Sequence, residues 1–216
     1  MEAAASVSDA SPVLVIVDTN CYVRLYYSEA RPLLGTVVAG HRLVTLAELA
    51  GEAARGTPLV DNNGWLLQDD IQRDLREGIL ALTASEANAY WELADQYRQM
   101  GDAVLFEHCQ SRGILVRSLS RLDALALAVA TDRTAVLATD EWPLRLVAGQ
   151  CELDDGSRAR LFSSLDLLRL LEIAGAITPV QRRDIVRRWI REGEHLMRDW
   201  AQSYRALFNE SPPTVQ

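Results

Sequence analysis

The chain has no lysine; each of its 22 basic side chains is an arginine, set against 30 acids. The resulting net charge of -8 argues against a protein that holds nucleic acid by bulk charge alone. Cysteine is scarce as well. Cys21, Cys109 and Cys151 are scattered, with no CxxC pair, which argues against a disulfide frame or a structural zinc and fits a reducing compartment. The three histidines, His41, His108 and His195, show no metal-ligand spacing. No nucleophile elbow, Cys–His pattern, P-loop or GxGxxG fingerprint occurs. Met1–Pro12 lacks the basic start of a signal peptide, and the apolar run behind it is only five residues long. No membrane span is expected, and a cytoplasmic location is the default.

What the chain does have is an ordinary globular composition, 49% apolar and 24% charged over 216 residues. That is enough for one sizeable domain with a helical extension. Val13–Val17 is an unbroken aliphatic run with four β-branched members, suited to a strand buried on both faces. Further short strands are expected at 42–44, 114–116, 135–139 and 160–162. Helices are expected at 20–27, 45–55, 65–77, 85–100, 101–112, 124–131, 143–148 and 165–174. Residues 32–40 read as a short helix or turn, and 57–64, with Pro58, Asn62, Asn63 and Gly64, as a loop. Thr178-Pro179-Val180-Gln181 is a capping box that opens one long helix to about Phe208, basic in its first half and striped with Ile185, Trp189, Leu196, Trp200 and Leu207. Strands alternating with helices imply an α/β fold, three-layer α/β/α, around a mostly parallel five-stranded sheet. The expected organisation is a loose leader over 1–12, one α/β domain over 13–177 and a C-terminal helical extension over 178–210.

The first strand stops at an acid. Asp18, followed by Thr19 and Asn20, stands where open parallel sheets carry their ligand chemistry. Three further acids follow strands. Glu48 lies behind the second, Asp123 opens the helix Ala124–Thr131, and Asp140 ends the strand at 135–139. Each has a plainer reading as a helix cap. Thr45-Leu46-Ala47-Glu48 and Ser120-Arg121-Leu122-Asp123 are both capping-box patterns, and Asp140 precedes the Pro143 helix. Taken together at one sheet edge, four carboxylates need a cation, and a hard divalent ion that prefers oxygen suits them.

These segments resemble those of the PIN-domain nucleases. Val13–Asn20 is similar to the family's opening strand ending in Asp-Thr-Asn. Leu43–Leu49 resembles the segment with its helical Glu, Leu119–Ala130 its third-acid helix, and Ala135–Glu141 the strand that delivers a fourth acid after a Thr. Order and approximate spacing agree across about Val13 to Thr178. The resemblance implies a PIN-like sheet and Mg²⁺- or Mn²⁺-dependent hydrolysis of RNA. Asp18, Asp123 and Asp140 would ligate the ion, and Glu48 would hold or activate its water. Asn20 and Thr139 would orient the acids, unless they are ordinary turn and cap residues. Glu141 competes with Asp140 for the fourth place, and Glu52 lies one helical turn from Glu48. VapC-like toxins are the best-known small members, and a toxin's partner would be a small antitoxin. This chain is longer than those toxins, which leaves the toxin role and the partner open.

Two other functions share parts of this pattern. A haloacid-dehalogenase-type phosphatase wants a second Asp where Asn20 stands and a Lys that the chain does not contain. A non-catalytic PIN-like module that binds RNA or protein keeps the fold, but has no reason to retain costly carboxylates at one edge. The tail's apolar stripe serves either a homodimer or packing on its own domain.

Overall fold

The computed structural model describes residues 11–27, 34–153, 155–194 and 196–214. The expected leader therefore lies mostly outside the described residues, as do 28–33 of the region around Pro32. Five strands form one sheet: β1 (Val13–Val17), β2 (Val37–Val38), β3 (His41–Val44), β4 (Val136–Ala138) and β5 (Arg160–Phe162). The helices are α1 (Thr19–Tyr27), α2 (Ala47–Gly51), α3 (Pro58–Asn62), α4 (Asp69–Glu77), α5 (Ala84–Arg112), α6 (Arg121–Asp132), α7 (Trp142–Ala148), α8 (Ser164–Ile173), α9 (Pro179–Arg191) and α10 (Trp200–Phe208). A 3₁₀ turn, Gly64–Leu67, joins α3 to α4.

The strand order is β2-β3-β1-β4-β5, parallel throughout except for β2, which runs antiparallel to β3. Successive residues of the central strands point to opposite faces, so each face carries its own core. Val15, Val17, Leu43, Val136 and Ala138 pack with α1, α8, α9 and α10. Ile16, Val44 and Leu137 pack with α5, α6 and α7. Helices thus cover both faces of an α/β sheet, an arrangement compatible with three layers.

The structure revises several sequence expectations. Five strands were expected and five form, but they are not the same five. Ile114-Leu115-Val116 pairs with nothing in the sheet, and Leu115 is 79% exposed. Its place is taken by β2, a hairpin partner of β3 across Ala39-Gly40. Both turn residues have positive φ (48° and 76°), as a tight two-residue hairpin requires. The loop at 57–64 contains a helix instead, started by Pro58 and capped by the Thr57 hydroxyl, which accepts from the Val60 amide at 3.3 Å. The two helices expected at 85–112 are one. Gly101 does not break it, because Gly101 is there for packing: a Cβ would come within 3.1 Å of Leu119 and 3.2 Å of Val147. The single long C-terminal helix is two, α9 and α10, separated by residues that include Gly193 at φ 75°. Their stripe is spent on the domain's own core: Ile185, Val186, Trp189 and Tyr204 are buried with β1 and α8. No helix among the described residues is long and apolar enough to cross a membrane.

Candidate active site

β1 and β4 lie side by side at the sheet's centre. The chain leaves β1 through α1, on the face shared with α8 and α9. It leaves β4 through α7, on the other face. Connections that diverge in this way open a crevice at the carboxyl ends of the two strands. Asp18 leaves β1 into that crevice, and Thr139, Asp140 and Glu141 leave β4 into it.

Asp18 is buried, with 3% of its surface exposed. Its Oδ1 accepts the Thr19 amide at 2.7 Å, and its Oδ2 accepts the Thr139 hydroxyl at 2.8 Å. The Thr139 hydroxyl in turn accepts the Glu141 amide at 3.1 Å, so one side chain sets both the Asp18 carboxylate and the turn that carries Glu141. The Asn20 amide group donates to Glu141 Oε1. Asp123 takes the cap position foreseen for it: the Ser120 amide donates to Oδ2 at 3.3 Å, while the Ser120 hydroxyl accepts the Asp123 amide at 3.0 Å. Among the described residues its Oδ1 accepts nothing. Asp123 is therefore a cap with one oxygen to spare.

These three acids are coupled by charge. Burial, and then the neighbouring Asp123, push the Asp18 carboxyl up to about 7, against the two hydrogen bonds that favour its ionised form. Burial raises Asp123. Burial and Asp123 raise Glu141, while Arg24 and Arg117 pull it back. The set is nonetheless open: among the described residues, no three His, Cys, Asp or Glu side chains are drawn together closely enough to hold a metal ion.

Comparison with family models, with curated proteins and with solved structures finds no match to this chain.

The site's geometry separates the acids expected to act together. Asp140, assigned above to the metal, has other partners. Arg24 forms an ion pair with its Oδ2, both side chains being 5% exposed, and the Ser164 amide donates to its Oδ1 at 3.1 Å. The Ser164 hydroxyl also donates to Oδ2. Asp140 thus ties the end of β4 to α1 and to the first turn of α8, while Glu141 beside it is coupled by charge to Asp18 and Asp123. Glu48 is half-buried in the first turn of α2 and has no hydrogen-bond or ion-pair partner among the described residues. It is not capped by Thr45, whose backbone is spent on a bridge to Ile79 and whose hydroxyl donates to the Val17 carbonyl at 3.3 Å. Glu52, one turn further on, accepts the Thr19 hydroxyl and so reaches the residue next to Asp18.

Arg24 is the residue sequence reasoning passed over. Its signal was available: a lone cation within Cys21-Tyr22-Val23-Arg24-Leu25-Tyr26, otherwise a buried helix face, requires an acid partner. Among the described residues its acid partners include Asp140 and Glu194, the latter at 3.4 Å from the segment between α9 and α10.

Proposed function

We propose that the chain is a metal-dependent ribonuclease on a PIN-like sheet. The observation that carries this reading is the Asp18 carboxylate, buried at the end of the central strand, hydrogen-bonded by Thr19 and Thr139, and within reach of the charges of Asp123 and Glu141. Burying one carboxylate beside like charges costs stability, and such clusters are found where a cation or a reaction requires them. The donor set fits a hard divalent ion: every candidate ligand is a carboxylate oxygen, with no sulfur or imidazole among them. Asp18, Asp123 and Glu141 would hold Mg²⁺ or Mn²⁺. When bound, the ion would lower the pKa of its water and offset charge on the scissile phosphate. Thr139 holds the Asp18 carboxylate and Asn20 that of Glu141, so two of the three are oriented in advance. Asp140, neutralised by Arg24, serves as a positioning residue that fixes the strand end from which Glu141 departs. Hydrolysis would leave a 5′-phosphate and a 3′-hydroxyl. A toxin role, with a small antitoxin as partner, rests on the family resemblance alone.

The test is RNA cleavage by the purified chain with Mg²⁺ or Mn²⁺, with and without EDTA, beside Asp18→Asn. The expected result is cleavage lost on chelation and in the variant. Cleavage that survives in Asp18→Asn overturns the assignment. The open arrangement of the acids favours a second reading, a non-catalytic module that binds RNA or protein. Calorimetry with Mn²⁺ separates the two: binding in the wild type that disappears in Asp18→Asn supports the metal enzyme.

A further inference from the structure

Next to the acids lies a cleft of about 680 Å³, continuous with them through Asn20 and Glu141. Its size is that of a pocket for a small organic group rather than an ion. Trp142, the residue after Glu141, is 41% exposed in its wall, with its ring 5.8 Å from that of His108 and tilted 35° to it. Ile114, Leu146, Leu196 and Met197 make the surroundings apolar. Large aromatics are normally covered in a folded core, and this one stands open beside three acids. The cations here are distinctive too. Arg112 and Arg198 line the cleft, both exposed, and neither has an ion pair or hydrogen bond among the described residues. Arg117, also exposed and without such a partner, acts on Glu141 through its charge. In a chain of net charge -8, unpaired guanidinium groups gathered beside an acidic site provide local contacts for phosphate.

We propose that this cleft is a subsite for an unstacked nucleobase of single-stranded RNA. The base lies on Trp142, with His108 as the second aromatic, and the flanking phosphates meet Arg112 and Arg198. The base would belong to a nucleotide neighbouring the scissile phosphate, since Glu141 and Trp142 are adjacent in the chain. The proposal rests on the ribonuclease reading for the identity of the polymer, but it is tested by binding, which needs no turnover.

The experiment measures the anisotropy of fluorescein-labelled eight-nucleotide RNAs (oligo-A, oligo-U and one mixed sequence) in EDTA with wild type, Asp18→Asn, Trp142→Ala, Trp142→Phe, Arg112→Ala/Arg198→Ala and Phe106→Ala. Phe106 is an exposed aromatic outside the cleft lining. Trp142→Ala is expected to weaken binding about 10-fold, the size of one lost base–aromatic stack. Trp142→Phe should recover most of that, and Phe106→Ala should have no effect. The arginine pair should weaken binding and flatten its salt dependence. An abasic nucleotide at the stacked position should abolish the difference between wild type and Trp142→Ala. Failure of the wild type to bind any of the RNAs, or equal affinity in Trp142→Ala, overturns the subsite. Binding that depends on Trp142 without cleavage under Mn²⁺ supports the subsite and removes the nuclease. Cleavage lost in Asp18→Asn, with affinity and cut-site preference unchanged in Trp142→Ala, does the reverse.

Discussion

At the scale of single residues, the site is governed by the cost of keeping charge out of water. Asp18 ionises in solution near the usual carboxylate range, but its folded carboxyl is raised to about 7. The folded state therefore binds more protons than the unfolded chain between about pH 4 and pH 7, so this group's contribution to stability falls as pH rises through that window and then levels off. In EDTA, urea midpoints should show Asp18→Asn gaining on the wild type between pH 5 and pH 8, by a few kcal/mol at the upper end. The amide fits, because it can still accept the Thr19 amide proton and donate to the Thr139 hydroxyl. A pH-independent difference between the two proteins would contradict the assigned burial. Arg24 poses the converse case. Arg24→Leu leaves Asp140 buried without its cation and should cost about 3–5 kcal/mol. Arg24→Leu/Asp140→Asn should recover a large part of this, and a double-mutant cycle reads the coupling directly. The sequence made Asp18 and Asp123 legible, since an acid after an aliphatic strand or at a capping box has few places to point. It could not rank Asp140 against Glu141. They are consecutive, and which one is tied up by a cation depends on a turn fixed by Thr139 and on a partner, Arg24, that stands 116 residues earlier.

At the scale of elements, what was legible followed from local chemistry. Short apolar runs gave β1, β3, β4 and β5, and the Ser120 and Thr178 boxes gave the starts of α6 and α9. The errors came where tertiary contacts override local signal. Ile114-Leu115-Val116 has strand composition but finds no edge to pair with, while the two residues Val37-Val38 find one because a hairpin returns them to β3. Gly101 looked like a helix end and is a helix interior, where a Cβ would press on Leu119 and Val147. Gly101→Leu should therefore destabilise the fold by about 1–3 kcal/mol through overpacking, although an exposed helical Gly replaced by Leu would be expected to gain. Thermal denaturation of the variant checks this, and an unchanged or raised midpoint would mean that Leu119 and Val147 yield without cost. The C-terminal helices make a similar point. Read from sequence, residue 178 is a boundary. In the fold, Trp189 and Tyr204 are wholly buried against β1 and α8, and the Trp189 indole donates to the Arg24 carbonyl at 3.1 Å. Truncation after residue 177 should abolish cooperative unfolding, because it removes two large core side chains at once, each worth about 3–5 kcal/mol. A truncated chain that melts at the full-length temperature would make the tail a true appendage.

At the scale of the whole molecule, the acid cluster, the cleft and the charge balance form one linked system. With 30 acids against 22 cations, bulk charge disfavours RNA, so on the proposed reading attraction is created locally by the ion and by a few arginines. If Asp18, Asp123 and Glu141 hold the ion, then whatever binds the folded state stabilises it, by about 2.7 kcal/mol when free Mn²⁺ is 100 times its dissociation constant. The wild type should gain this thermal stability and Asp18→Asn should not. The same linkage fixes a proton count. At pH 6 the Asp18 carboxyl, titrating at about 7, is mostly protonated, and Asp123 and Glu141 are shifted in the same direction. Metal binding must then expel close to one proton from Asp18, and affinity should rise with pH. At pH 8 the expulsion should be nearly complete before the metal arrives. Calorimetric titration of Mn²⁺ in two buffers of different ionisation heat, at pH 6 and pH 8, reads both quantities. A proton release that shrinks with pH and vanishes in Asp18→Asn ties the ion to the buried carboxylate at the end of β1. A release independent of pH, or retained in the variant, would place the ion among surface acids and leave Asp18 as a purely structural burden.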